Sequence, residues 1–224
     1  AFSPIPPNPP YQGNGGMLAS GSEDSSLRLW SIDTAQCLRI LQGRHNGVRS
    51  IAFSPILPSP PDQGNGGMLV SGNEDKTIRR WNISTGKCFG MQGHTGWIWS
   101  IAFNPQGTIL ASGSQDSSVR LWDINTGQCL RILGHTTPVT SVAFHPEGTM
   151  LASGSQDSLV RLWDVSTSQI LQTLQGHTEP VKSLAFHFQG KIIASGSADS
   201  SVRLWDVSTG ECLRILQGQI GSGW

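Results

Sequence analysis

Residues 93–133 read GHTGWIWSIAFNPQGTILASGSQDSSVRLWDINTGQCLRIL, and the rest of the chain is copied from this unit. One copy spans 134–175 and the next 176–217, a longer copy begins near Gly43, and a truncated one occupies the N-terminus. Tryptophan sets the ruler: Trp30, Trp81, Trp122, Trp163 and Trp205 follow one another at gaps of 51, 41, 41 and 42 residues. A fixed period in this range decides the architecture before any single residue does.

Within the unit, four short apolar-alternating runs (97–103, 109–114, 118–123 and 128–133) are separated by NPQG, QDS and INTG. Alternation predicts strands, and Asn, Pro, Asp and Gly supply the turns between them. We label the strands a to d. A sheet of about 40 residues cannot bury enough surface to stand alone. It needs neighbours on both faces, and four strands per 40–45 residues is the pattern of a propeller blade.

The copies resemble WD repeats in the pair Gly93-His94, in Ala102-Phe103 followed by Pro105, in Leu110–Ser114 with Asp116, and in Arg120–Asp123. The expected fold is all-β, a propeller of five four-stranded antiparallel WD-type blades, closed or part of a larger ring. Residues 1–224 form one domain in this reading, with blades at about 1–43, 44–92, 93–133, 134–175 and 176–217 and a tail at 218–224. WD rings typically have about seven blades, so five must close at a steeper angle or leave two apolar sheet faces open. Open faces of that kind lead to self-association.

Lys and Arg balance Asp and Glu at 15 each, and 13% of residues are charged against about 25% in a typical domain. Such a chain lacks the basic footprint of a nucleic-acid binder, so no nucleic-acid partner is expected. No apolar run approaches the roughly 20 residues of a membrane span, and no membrane partner is expected either. Cys37, Cys88, Cys129 and Cys212 share one position in strand d, where the fourth copy has Ile170. That substitution reads as a packing slot, with free thiols in a reducing, cytoplasmic setting.

The first two copies carry equal insertions between strands a and b. Phe2 to Ser20 and Phe53 to Ser71 are each 18 residues apart, whereas Phe103 to Ser112 is 9. Their QGNGG segments lack the Lys and following helix of a phosphate loop, so no cofactor is expected. Residues 1–4 read as the end of a strand a, and the 218–224 tail aligns with the loop before one. Either the ends meet to complete the first blade or the chain is cut from a longer protein. The second is the expectation adopted.

Each regular copy repeats His, Ser, Asp and Trp: His94, Ser112, Asp116 and Trp122; His135, Ser153, Asp157 and Trp163; His177, Ser195, Asp199 and Trp205. A Ser-His-Asp set suggests nucleophilic catalysis, but catalysis needs one asymmetric site with an exposed nucleophile. The resemblance implies instead a hydrogen-bond chain from Asp through His and Ser to the indole in every blade. The second copy has Arg44 at the His position with His45 one place late, and only Gln219 aligns with it for the first. No catalytic residues are assigned, no metal is expected, and the chain is read as a non-enzyme.

Recognition should lie where copies differ. The start of strand a varies most, as Gly47-Val48-Arg49, Trp97-Ile98-Trp99, Pro138-Val139-Thr140 and Pro180-Val181-Lys182. The residue before each turn Asp also varies, and in the family it faces the same rim: Glu23, Glu74, Gln115, Gln156 and Ala198. Trp97, Trp99, Arg49, Gln115, Gln156, Lys182 and Glu74 are therefore the candidates for binding a protein or peptide. The resemblance implies a scaffold or sensor, such as the C-terminal section of a signalling NTPase. The alternative is a lectin-like five-bladed carbohydrate binder, which would need the same rim residues in every blade.

Overall fold

The computed structural model describes residues 16–43, 47–55 and 67–217, and in them every regular element is a strand. The first sheet contains β1 (Met17–Gly21), β2 (Ser26–Ser31) and β3 (Cys37–Gln42). The second holds β4 (Val48–Phe53), β5 (Met68–Asn73), β6 (Ile78–Asn82) and β7 (Cys88–Met91). The third is β8 (Ile98–Phe103), β9 (Ile109–Ser114), β10 (Ser118–Asp123) and β11 (Cys129–Gly134). The fourth is β12 (Val139–Phe144), β13 (Met150–Ser155), β14 (Val160–Asp164) and β15 (Ile170–Leu174). The fifth is β16 (Val181–Phe186), β17 (Ile192–Ser197), β18 (Ser201–Asp206) and β19 (Cys212–Gln217).

Spatial order equals chain order within every sheet, so each copy is one antiparallel blade. The first shows three strands; its expected strand a at residues 1–4 lies outside the described residues. So do most of both insertions, Arg44, His45 and the tail from 218. The b–c turns share one construction. In the third blade the Asp116 carboxylate accepts the Ser118 N–H at 3.1 Å, and Ser117 between them has φ +63°. A side-chain acceptor two residues back is what lets a non-glycine residue hold that conformation.

Every complete inner strand carries a bulge. Pairing jumps over Arg49, Trp99, Thr140 and Lys182, each standing opposite no partner. An extra residue breaks the period of two, so Val48 and Ile51, three apart, both face the preceding blade. They close on Gly21, where an added Cβ would lie 2.5 Å from Val48 and 3.3 Å from Ile51. Gly72 meets Ile98 in the same way at 2.7 Å, Gly113 meets Val139 at 2.8 Å, and Gly154 meets Val181 at 2.6 Å.

The serine after each of the first three bulges reaches forward to the next blade. Ser50 accepts the Ile101 N–H, Ser100 that of Val142 and Ser141 that of Leu184, all at 3.1 Å. The apolar core follows the same plan, forming between blades instead of inside one. Ala111, Val119, Leu121 and Leu133 of the third blade pack with Val139, Val142, Leu151 and Trp163 of the fourth.

The cysteine slot is a correction. Cys37, Cys88, Cys129 and Cys212 are exposed free thiols, and Ile170 in the same slot is 49% exposed. Strand d is the outer edge of its sheet, and only its last apolar residue turns inward, as Leu133 and Leu174 do. The position is therefore permissive because solvent faces it.

Gly113→Ala should lower stability by about 1–3 kcal/mol through overpacking against Val139. Gly90→Ala, where nothing lies within 4 Å, should change it by less than about 0.5 kcal/mol. Denaturant unfolding of both variants checks the contrast.

Candidate functional site

The two variable positions selected from sequence meet on one rim. The Glu74 N–H donates to the Gly47 carbonyl at 3.0 Å, Gln115 to Trp97 at 2.9 Å, Gln156 to Pro138 at 3.0 Å and Ala198 to Pro180 at 3.0 Å. The bulged residues Arg49, Trp99 and Lys182 stand two positions further on. Arg49 draws three blades together. Its Nε donates to Glu74 Oε1 at 2.7 Å, its Nη1 lies 3.0 Å from Glu23 Oε1, and its guanidinium sits 5.5 Å from the Trp97 ring centroid.

Trp97 is 40% exposed and its N–H lies 3.4 Å from Gln115 Oε1, whereas Trp99 is half-buried. The structure thus joins Arg49, Glu74, Trp97 and Gln115 and adds Glu23, which sequence reasoning did not select. Gln156 and Lys182 are exposed on the fourth and fifth blades, and among the described residues no hydrogen bond or ion pair links them to the cluster. With one cation set between two carboxylates, the cluster keeps an acidic excess beside an open indole.

Below the rim, the third blade contains a directed chain. Trp122 Nε1–H donates to Ser112 Oγ at 2.8 Å, Ser112 Oγ lies 2.7 Å from His94 Nε2, and His94 Nδ1 lies 2.7 Å from Asp116 Oδ2. A neutral imidazole with its proton on Nδ1 satisfies every member, the tautomer being assigned from these partners. The fifth blade repeats it through Trp205, Ser195, His177 and Asp199, with its three links at 2.8, 2.7 and 2.8 Å. Ser112, Ser153 and Ser195 have 0% exposure, so no substrate carbonyl can reach their hydroxyls.

A family model described as "WD domain, G-beta repeat" matches residues 7–31, 35–82, 86–123, 127–164 and 168–206. The chain belongs to the WD-repeat family. Among curated relatives, the nuclear distribution protein PAC1 of Arthroderma otae is 36% identical over 94 residues, 41% of this chain and 20% of that protein. The Lissencephaly-1 homolog of Caenorhabditis briggsae is 33% identical over 95 residues, 42% of this chain and 22% of that protein. The periodic tryptophan protein 2 homolog of Neurospora crassa is 42% identical over 71 residues, 31% of this chain and 7% of that protein. The chain therefore matches about a fifth or less of each relative's length.

The fourth WD blade departs from the expected tetrad. Trp163 donates to Ser153 at 2.7 Å and Ser153 Oγ lies 3.0 Å from His135 Nε2, but Asp157 accepts Arg161 Nη2 at 2.8 Å. Arg161 Nη1 lies 3.3 Å from His135 Nδ1, which places the imidazole proton on Nε2. The cause is a loop one residue shorter. Met91 and Leu174 precede their histidines by three residues, Leu133 by two. In the longer loops Gly93 and Gly176 sit over Arg120 and Arg203, and a Cβ there would lie 2.8 and 2.5 Å from the guanidinium. Gly134 covers nothing within 4 Å, so Arg161 is free to take the aspartate. Arg79 pairs with Asp75 in the second blade and Arg28 with Asp24, at 3.6 Å, in the first.

Burial pushes His135 down to about 4, helped by the neighbouring Arg161 charge. Burial also lowers His94, although hydrogen bonding to Asp116 opposes it. For Asp116, burial acts upward, but hydrogen bonds from Ser118, the Thr95 N–H and His94 together carry it below the usual carboxylate range.

His94→Ala should strand Ser112 and Asp116 and cost about 1–3 kcal/mol. His135→Ala should cost less, because Arg161 retains Asp157. The pH dependence has a definite sign. An unfolded histidine protonates near 6.5 while His135 stays neutral to about 4, so the unfolded chain takes up protons first and stability falls as pH drops through that window. His135→Gln should flatten part of this fall in a pH series of denaturation midpoints.

Proposed function

We propose that this chain is a non-enzymatic interaction scaffold of a cytoplasmic protein, binding a protein or peptide segment on the rim around Trp97 and Trp99. The observation that carries the reading is the half-open Trp97 indole, held by Arg49 where three blades converge. Exposed tryptophan beside arginine is the composition from which interface hot spots are drawn. Glu74 and Gln115 frame the indole, while Gln156 and Lys182 extend the surface to the fourth and fifth blades. The partner segment is expected to bring an apolar side chain for the indole and a cationic group for the acidic excess that Glu23 and Glu74 keep around the single Arg49 guanidinium.

The similarity of the copies is also the habit of WD arrays that follow a nucleotide-driven switch domain. In that setting this chain is the sensor section of a signalling NTPase. Balanced charge argues against nucleic acid as a direct ligand, and differing rim residues argue against one sugar per blade.

Trp97→Ala should reduce recovery of a bound partner at least ten-fold in a quantitative pull-down, a loss of about 1.4 kcal/mol or more. The denaturation midpoint should stay unchanged. Undiminished recovery with both Trp97→Ala and Trp99→Ala rejects the rim as the site.

A further inference from the structure

Several arginines bridge neighbouring blades, and one of them is held differently from the rest. Arg39 donates to the Ile83 carbonyl at 2.6 Å and also to that of Ser84. Arg80 donates to the carbonyls of Ile124 and Asn125, so the backbone of the next blade fixes both guanidinium groups. Arg49 has side chains alone for partners among the described residues: the carboxylates of Glu23 and Glu74 and the ring of Trp97.

The groups around Arg49 are set with unequal firmness. Glu74 is anchored by its N–H on the Gly47 carbonyl, and its carboxylate lies so close to Gly47 that an added Cβ would stand 3.0 Å from Oε2. The other complete copies have Trp97, Pro138 and Pro180 where the second has Gly47, and a side chain there would take the space of the carboxylate. The Glu74 side chain is 21% exposed and that of Glu23 is 77% exposed, so one carboxylate is fixed and the other is free to adjust. Without the Arg49 head group, what remains is an anchored carboxylate, a second one beside it and an open indole. A planar guanidinium, with its fork for carboxylate oxygens and its flat face for an aromatic ring, suits that set better than a compact ammonium does.

We propose that this cleft recognises an arginine side chain of the partner segment, and that Arg49 is an internal occupant which the partner's arginine displaces. The inference rests on the rim reading above and names the group that the rim takes. Exchanging one guanidinium for another keeps the Glu74 carboxylate paired, and Arg49 moves into water it already meets. A neutral or acidic segment that displaced Arg49 would leave Glu74 without its cation, so the occupant also discriminates between partners. Affinity is reduced by the fraction of the time that the cleft is free. With Arg49 in place about nine-tenths of the time, its removal strengthens binding about ten-fold.

The probe is a fluorescein-labelled hexapeptide with a single arginine among alanines, compared with a twin carrying uncharged citrulline. Fluorescence polarisation with the full chain should show the arginine peptide binding Arg49→Ala about ten-fold more tightly than the unchanged protein. The citrulline peptide should show no such gain, and adding Glu74→Gln or Trp97→Ala to Arg49→Ala should remove it. Arg131→Ala takes the same charge from an exposed strand-d position and should give no gain. Arg49→Gln, which keeps most of the stem, should reproduce the effect if Arg49→Ala lowers the denaturation midpoint. Unchanged affinity in both Arg49 variants overturns the proposal, as does a gain shared by citrulline or by Arg131→Ala. Partner recovery that falls with Trp97→Ala while the peptide shows no gain rejects this inference and leaves the scaffold reading standing. A peptide gain with undiminished recovery does the reverse.

Discussion

The contact on which everything else stands is a glycine of one blade filled by a valine or isoleucine of the next. A blade has two apolar faces, and a sheet of four short strands cannot bury either by itself. The Gly72–Ile98, Gly113–Val139 and Gly154–Val181 contacts bring inner strands close enough for Ser50, Ser100 and Ser141 to bond across the gap. The bulge makes this possible by turning two residues, three apart, to one side. It also leaves Arg49, Trp99, Thr140 and Lys182 without ladder partners. The device that locks the blades thus presents the variable side chains.

Inside the third and fifth blades the Trp–Ser–His–Asp chain ties strands b and c to the loop that enters the inner strand. It resembles a catalytic triad because the polarity of its hydrogen bonds is the same. Burial of the serine separates the two roles. The strand-c arginine is the alternative partner of the turn aspartate, and loop length or loss of the histidine decides which partner wins. In the third and fifth blades, where the histidine takes the aspartate, Arg120 and Arg203 lie 3.9 Å from the Cys129 and Cys212 sulfurs.

Much of this was legible in the sequence because repetition averages away local ambiguity. Strands 109–114 and 118–123 appear as read, and the tetrads of the third and fifth blades were given by spacing and resemblance together. The bulge was also written there, in the interval of three between Val48 and Ile51 or Ile98 and Ile101, which no regular strand tolerates on one face. The rewired fourth blade had its signal in LGH where its neighbours read QGH. The cysteines misled because strand position, not residue type, governs exposure at a sheet edge. The Arg49 cluster was not legible as a cluster, since Glu23, Glu74 and Trp97 belong to three different copies.

Hydrogen exchange, amide by amide and at a concentration where the chain is single, tests most directly whether neighbours stabilise each blade. Strands b and c of the third and fourth blades, sandwiched on both faces, should exchange slowest, with protection falling towards the first and fifth. Equal protection in all five blades, or the greatest in an end blade, would contradict the account, because each sheet would then be holding itself together.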